Sequence, residues 1–287
     1  MQPIKTNALN AKQVADINAL HEACMAEDGL TASLSLDCSV NCDPTLPAYY
    51  LLYKEDQLIS FLMIFMPDPA EAELFAMTLP ELRRQGYCRL LLRVASQELR
   101  KSGLGEAFVQ CEPQSKAARA ALEHLGAEYS FSEYTMQKPL AGPELVQSSL
   151  TLKSAQAKDV ETLSELAGEI FSDDPSSHRS MLMKSFASDG ISVLEAWMGS
   201  ERVGLCRVVW SDTPPNICTF GIHPAYRKQG LGEEFLRLLF DHIALKGYKE
   251  AALDVNSENG AAFRLYQRMG FIVRTQVDYY ALKLMQG

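Results

Sequence analysis

No stretch of this sequence approaches the roughly 18 to 20 consecutive apolar residues that a membrane-crossing helix needs. The opening residues, MQPIKTNALNAKQ, are polar and lack the apolar core of a secretory signal. A basic excess is missing too. There are 27 Lys/Arg against 36 Asp/Glu, a formal net charge of −9, which speaks against a nucleic-acid partner. Cysteines are few and scattered: Cys24, Cys38, Cys42, Cys88, Cys111, Cys206 and Cys218. An odd, irregular set suits free thiols in a reducing compartment rather than a disulfide framework. Cys38 and Cys42 lie four apart, but no His or Cys pair nearby completes a zinc set, so no metal is expected. Together these absences predict a cytoplasmic protein with neither a membrane nor a nucleic acid as partner.

What remains is ordinary in bulk. The 287 residues are 47% hydrophobic and 22% charged, which suits one or two soluble globular domains. Charge is uneven: residues 1–145 hold 12 Lys/Arg and 19 Asp/Glu (−7), the remainder 15 and 17 (−2). An acidic surface mildly favours a cationic acceptor.

The chain also repeats itself. Arg83 and Arg227, Gly86 and Gly230, and Gly126 and Gly270 share an offset of 144. "AKQV" from Ala11 answers "AKDV" from Ala157, two residues off that spacing. The reading is two copies of one domain, 1–140 and 149–287, joined at "PLAGPELVQSS" (139–149), where two prolines and a glycine punctuate the chain. In the second copy the pattern predicts a strand near 149–153 and a helix carrying Val160, Leu163, Leu166 and Ile170. Strands follow near 191–198, 202–210 and 215–222. A helix over about 229–246, the buried strand "EAALDV", a helix closed by Gly270, and two strands, "FIVRT" and "VDYYALKL", complete it. This order describes an α/β fold (α+β, mixed sheet) with helices on both faces.

One stretch carries chemistry. In "GIHPAYRKQGLGEEF" (221–235) an apolar run gives way to Arg227, Lys228 and Gln229, then Gly230 and Gly232 at the mouth of a helix. The first amides of a helix lack intrahelical partners and, with the helix dipole, attract anions. Glycines let a phosphate approach the backbone. The physical reading is a pyrophosphate site, although the spacing is neither G-x-G-x-x-G nor G-x-x-x-x-G-K-[ST].

Arg227-x-x-Gly230-x-Gly232 after "IHPAY", followed by "DVNSENGAAFRLYQRMGF" (254–271), resembles the coenzyme A signature of the GCN5-related N-acetyltransferase (GNAT) superfamily. The second copy resembles a complete domain and the first a degenerate one. The doubling is similar to the tandem two-domain type that includes mycothiol synthase. This resemblance implies acetyl-CoA as cofactor, with its pyrophosphate on the amides of Lys228, Gln229, Gly230, Leu231, Gly232 and Glu233, and Arg227 nearby. It implies pantetheine pairing along Phe220, Gly221 and Ile222, an oxyanion donor near the Ile222 amide, and cofactor contacts from Asn259 and Phe263. A bulge is expected at Gly221. Tyr266 falls where many members keep a general acid; helical spacing by itself makes it a core aromatic. The Glu base that some relatives carry falls at Asn216, which puts a direct base in doubt and leaves Asp254 or relayed water. His223 reads as a loop residue, and Asp173, Asp174 and Asp278 as solvated acids or amine contacts.

The first copy departs from the signature. Cys88 replaces the second glycine, Leu122 stands at the place of Tyr266, and Ser115 at that of Asn259. The expected activity is therefore acetyl transfer to a primary amine, as a small molecule, in the second copy, by a monomer. The alternative is a non-catalytic acyl-CoA-binding sensor. A peptidyl-type transferase using aminoacyl-tRNA would want a basic face that this chain lacks.

Overall fold

The computed structural model describes residues 1–143, 148–210 and 213–285. The first run of elements is β1 (Ile4–Thr6), α1 (Ala11–Asp28), β2 (Tyr49–Lys54), β3 (Gln57–Asp68), β4 (Glu71–Thr78), α2 (Tyr87–Lys101), β5 (Glu106–Cys111), α3 (Lys116–His124) and β6 (Glu128–Pro139). The second is β7 (Thr151–Ser154), α4 (Val160–Phe171), α5 (Pro175–Phe186), β8 (Ile191–Met198), β9 (Glu201–Val209), β10 (Asn216–Ile222), α6 (Leu231–Leu245), β11 (Glu250–Asn256), α7 (Gly260–Arg268) and β12 (Ile272–Lys283). The order repeats, with α5 as an addition to the second run. That helix was not expected from periodicity. Its start is local chemistry: Asp174 accepts from the Ser176 amide at 2.9 Å and Pro175 fills the first turn.

Two compact units form, Met1–Glu133 with Thr275–Gly287, and Tyr134–Arg274. They differ from the contiguous division at 140 and 149. The two closing strands expected from "FIVRT" and "VDYYALKL" are a single strand, β12, because neither glycine nor proline interrupts it. Asp278 to Lys283 pair antiparallel with Cys111 to Glu106 of β5, so the end of the second repeat completes the sheet of the first unit. The C-terminal half of β6 lies beside β11 in the second unit, where the Leu140 amide also bonds the Lys249 carbonyl at 2.8 Å. Part of the expected join, residues 144–147, lies outside the described residues.

Each unit holds a mixed sheet, β1-β2-β3-β4-β5-β12 in the first and β6-β11-β10-β9-β8-β7 in the second. The pairs β4/β5 and β10/β11 run parallel, each joined through one helix. In the second unit alternate residues divide two cores. Leu194, Cys206, Ile217 and Leu253 pack with Leu231, Phe235 and Leu239 of α6. Val193 and Leu205 face the other way, against Leu163 and Ile170 of α4 and Leu182 of α5. Among the described residues no helix is long and apolar enough to cross a membrane.

Phe235 is fully buried between α6 and the sheet. Phe235→Ala removes a ring from a packed core and is expected to cost about 3–5 kcal/mol, read as a lower urea midpoint.

Candidate functional site

The site grows from a mismatch between two strands of the second unit. Along β10, Cys218 pairs with Arg207 of β9, yet Gly221 pairs with Leu205, so β10 carries one extra residue. Thr219 absorbs it with φ of +51°. The parallel register with β11 holds only at Asn216↔Ala252 and Ile217↔Leu253, and beyond the bulge it lapses. An edge of β10 near Phe220–Ile222 thereby faces a gap rather than a partner strand. Gly221 follows the bulge, as expected. A Cβ there would lie 2.2 Å from Cγ2 of Ile170, at the end of α4, so no side chain fits.

The loop after β10 turns on two left-handed residues, Lys228 (φ +61°) and Gly230 (φ +83°). Among the described turn and cap hydrogen bonds, none uses the amides of Lys228, Gln229, Gly230, Leu231 or Gly232. Five adjacent donors at the N-terminus of α6 make an anion nest that fits a pyrophosphate. Glu233 differs from expectation. Its amide closes a turn on the Gly230 carbonyl at 3.0 Å, and its carboxylate meets Arg268 at 3.1 Å. Arg227 also points elsewhere: Nε donates to the Ile222 carbonyl at 2.9 Å and Nη2 to the Ile170 carbonyl at 2.5 Å. Its guanidinium pins the loop to the end of α4, leaving Lys228 and the amides to meet an anion. A Cβ on Gly232 would sit 3.3 Å from Leu265.

Across the gap stands α7. Asn259 caps it, accepting from the Ala262 amide at 3.1 Å. Phe263 packs on Tyr134, with ring centroids 5.1 Å apart. Tyr266 is 6% exposed and wedged between Phe220 and Phe271 at 6.2 and 5.9 Å. Burial, and then the neighbouring Cys206, push its phenol well above the ordinary tyrosine value. It is thus both the core aromatic of its helix face and a phenol held in its proton-donating form. At the other end of β10, Asn216 donates from Nδ2 to Asp254 at 2.8 Å, and Thr135 donates to the other Asp254 oxygen at 2.7 Å.

The remaining sequence candidates are structural. His223 bonds Glu169 through Nε2 (2.7 Å) and accepts the Ala225 amide at Nδ1 (3.3 Å). Asp173 meets His178 at 2.5 Å and Asp174 caps α5. Asp278 is neither solvated nor in the second unit: it is buried, accepting from Ser132 and Gln276 at 2.7 Å each.

The first unit keeps the loop backbone, and its parallel pairing likewise ends after two residue pairs, at Leu74↔Val109; what differs is what lies across the strand ends. Arg84 (φ +64°) and Gly86 (φ +86°) reproduce Lys228 and Gly230. But Arg83 grips Asp28 at 2.8 and 2.9 Å, Ser115 donates to the same carboxylate at 3.0 Å, and Thr31 bonds Glu112 through its amide and hydroxyl. Residues 28–31 thus strap the end of β4 to the end of β5, with a carboxylate beside the nest. The structure also reveals what the sequence offset hides. Glu73 pairs with Phe108 as Asn216 pairs with Ala252, so Glu73, not Ala72, is the counterpart of Asn216. The bulge residue of β10, missing from β4, shifts the offset by one.

A family model for the acetyltransferase (GNAT) family matches residues 15–127 and again 160–271. The chain belongs to the GNAT family. This member is 25% identical over 290 aligned residues to the mycothiol acetyltransferase of Thermomonospora curvata, covering 95% of this chain and 94% of that one. It is 37% identical over 82 residues to the mycothiol acetyltransferase of Corynebacterium efficiens, a match that spans 28% of each chain. It is 29% identical over 126 residues to the N-alpha-acetyltransferase RimI of Mycobacterium tuberculosis, over 42% of this chain and 78% of that one. Two solved structures share the doubled GNAT fold over nearly the whole length. One is a GCN5-related N-acetyltransferase from Sphaerobacter thermophilus (TM-score 0.77, 18% identity, 99% and 96% covered). The other is a tandem GNAT protein from the clavulanic acid biosynthesis pathway (0.69, 17%, 100% and 98%).

Gly221→Ala forces a methyl group into the end of α4 and is expected to cost about 1–3 kcal/mol, read as a lower melting temperature.

Proposed function

We propose that this GNAT member is an acetyl-CoA-dependent N-acetyltransferase, acting on a primary amine of a small molecule in its second unit and residing in the cytoplasm. The observation that carries this reading is the set of five uncommitted amides beside an open gap in one unit, set against the strapped gap of the other. Full-length likeness to a mycothiol acetyltransferase favours a small-molecule acceptor over a protein.

The chemistry asks little of the chain, and the residues meet it. Acetyl-CoA supplies an activated thioester carbonyl. The amides of Lys228 to Gly232 hold its pyrophosphate, and the free edge of Phe220–Ile222 aligns its arm. Donors there stabilise negative charge on the carbonyl oxygen, a contribution of about 3 kcal/mol for one such donor. An alkylamine has a pKa near 10 and must lose a proton before attack. Asp254, fixed by Asn216 and Thr135, is the carboxylate that accepts it, directly or through one water. Tyr266, kept protonated by burial, donates to the departing sulfur. The first unit does not catalyse.

Titration calorimetry is expected to find one acetyl-CoA per chain, abolished by Gly232→Trp and unaffected by Cys88→Trp. Two sites, or none, would overturn the reading. Tyr266→Phe is expected to lower kcat about 10²- to 10⁴-fold while acetyl-CoA still binds. Unchanged turnover would remove Tyr266 from the mechanism, and binding with no turnover of any amine by the wild type would favour the sensor.

A further inference from the structure

Arg207 has no role in the site described above and, among the described residues, no hydrogen-bond or ion-pair partner. Directly paired residues of neighbouring strands share a face. Arg207 pairs with Val193 of β8 and with Cys218 of β10. Val193 packs with α4 and α5, so Arg207 points to that side of the sheet. Asn216 and Asp254 point there too, since the intervening Ile217, Leu253 and Val255 pack in the opposite core. Among the described residues no carboxylate pairs with Arg207, and its Nε is buried without a hydrogen-bond partner. The next acid on that face, Glu195, is already taken by Arg202 at 3.1 Å and Trp197 at 2.6 Å. A buried guanidinium nitrogen left without a partner is costly, and native structures normally satisfy such atoms. The Asn216 Oδ1 is buried and unpartnered as well.

Resting on the acetyltransferase reading, we infer that the acceptor carries an anionic group besides its amine, and that Arg207 binds it. Arg207 on β9 and Asp254 on β11 flank β10 on one face. Adjacent strands lie about 4.8 Å apart, so the two residues are about 10 Å apart at the backbone. Asp254 receives the ammonium end of the acceptor and Arg207 its carboxylate or phosphate. The spacing suits a zwitterion whose charges are several bonds apart. The acidic surface of the whole chain, which favours a cation, acts at long range, whereas Arg207 acts by contact. A guanidinium fork fits either anion bidentately.

The test measures acetyl transfer to matched acceptors: dipeptides against their C-terminal amides, and glucosamine 6-phosphate against glucosamine. Wild-type and Arg207→Met proteins are compared, with acetyl-CoA binding followed by calorimetry. The acidic member of the carboxylate or the phosphate pair is expected to exceed its neutral partner about ten- to hundredfold in kcat/KM; which pair responds identifies the anion. Arg207→Met is expected to erase that preference through KM, leaving kcat within about twofold and acetyl-CoA binding intact. Arg207→Lys is expected to restore part of it. Should Arg207→Met fold poorly, the wild-type preference decides alone. Equal or better use of neutral amines, an equal loss for both members of a pair, or acetyl-CoA binding without turnover of any panel member would overturn the inference alone. Absence of acetyl-CoA binding would overturn the acetyltransferase reading and this inference together.

Discussion

One residue too many in β10 is the constraint on which the site depends. Opposite β9, the strand must fit Cys218, Thr219 and Phe220 into a register with room for one fewer. Thr219 takes a left-handed backbone to do so, just past the last residues of β10 that pair with β11. Backbone groups that a regular sheet would satisfy are left facing a gap. A glycine is then required at 221, because the bend brings the end of α4 to within contact of the backbone. Arg227 completes the arrangement. Its guanidinium holds both the last carbonyl of β10 and the carbonyl of Ile170, tying strand, loop and helix together.

The two repeats show how a shared backbone can be put to different ends. Both loops carry left-handed residues at corresponding places, and both lead into a helix. The decisive difference is what the arginine meets. In the second unit it meets carbonyls, and the nest stays open to an anion. In the first it meets the Asp28 carboxylate, which Ser115 also holds. The Arg83 charge is thereby spent on a carboxylate rather than left to favour an anion. Cys88 adds a side chain where the second unit has none.

The two groups proposed above to move protons lie on opposite sides of β10. On the α6/α7 side, aromatic packing around Tyr266 disfavours the phenolate. On the α4/α5 side, the carboxylate stands on β11 at Asp254 rather than on β10, and Asn216 serves as its hydrogen-bond donor. The carboxylate thus lies one strand away from position 216, tied to it by the Asn216 amide.

Much of this was legible in the sequence because it depends on local rules. The loop needs glycines at fixed spacing before a helix. The helices and strands follow their periodicities, and a doubled pattern repeats at an offset of 144. Other features depend on contacts between residues distant in the chain. The helix α5 was missed because its apolar face is short and interrupted, although Asp174-Pro175 marks its start. Glu73 was hidden because a bulge changes register without changing composition. That β12 closes the first unit's sheet is a matter of which edge is free, and no local pattern encodes that. Arg207, Asn216 and Asp254 are ordinary residues in sequence; only strand pairing, which places β9, β10 and β11 side by side, brings them to one face. The sequence by itself determined the fold family and the glycine loop at the mouth of α6, whose form is backbone geometry set by neighbouring residues. The tertiary structure alone decided which loop stays open and which charges share a site, because both follow from packing and register across the sheet.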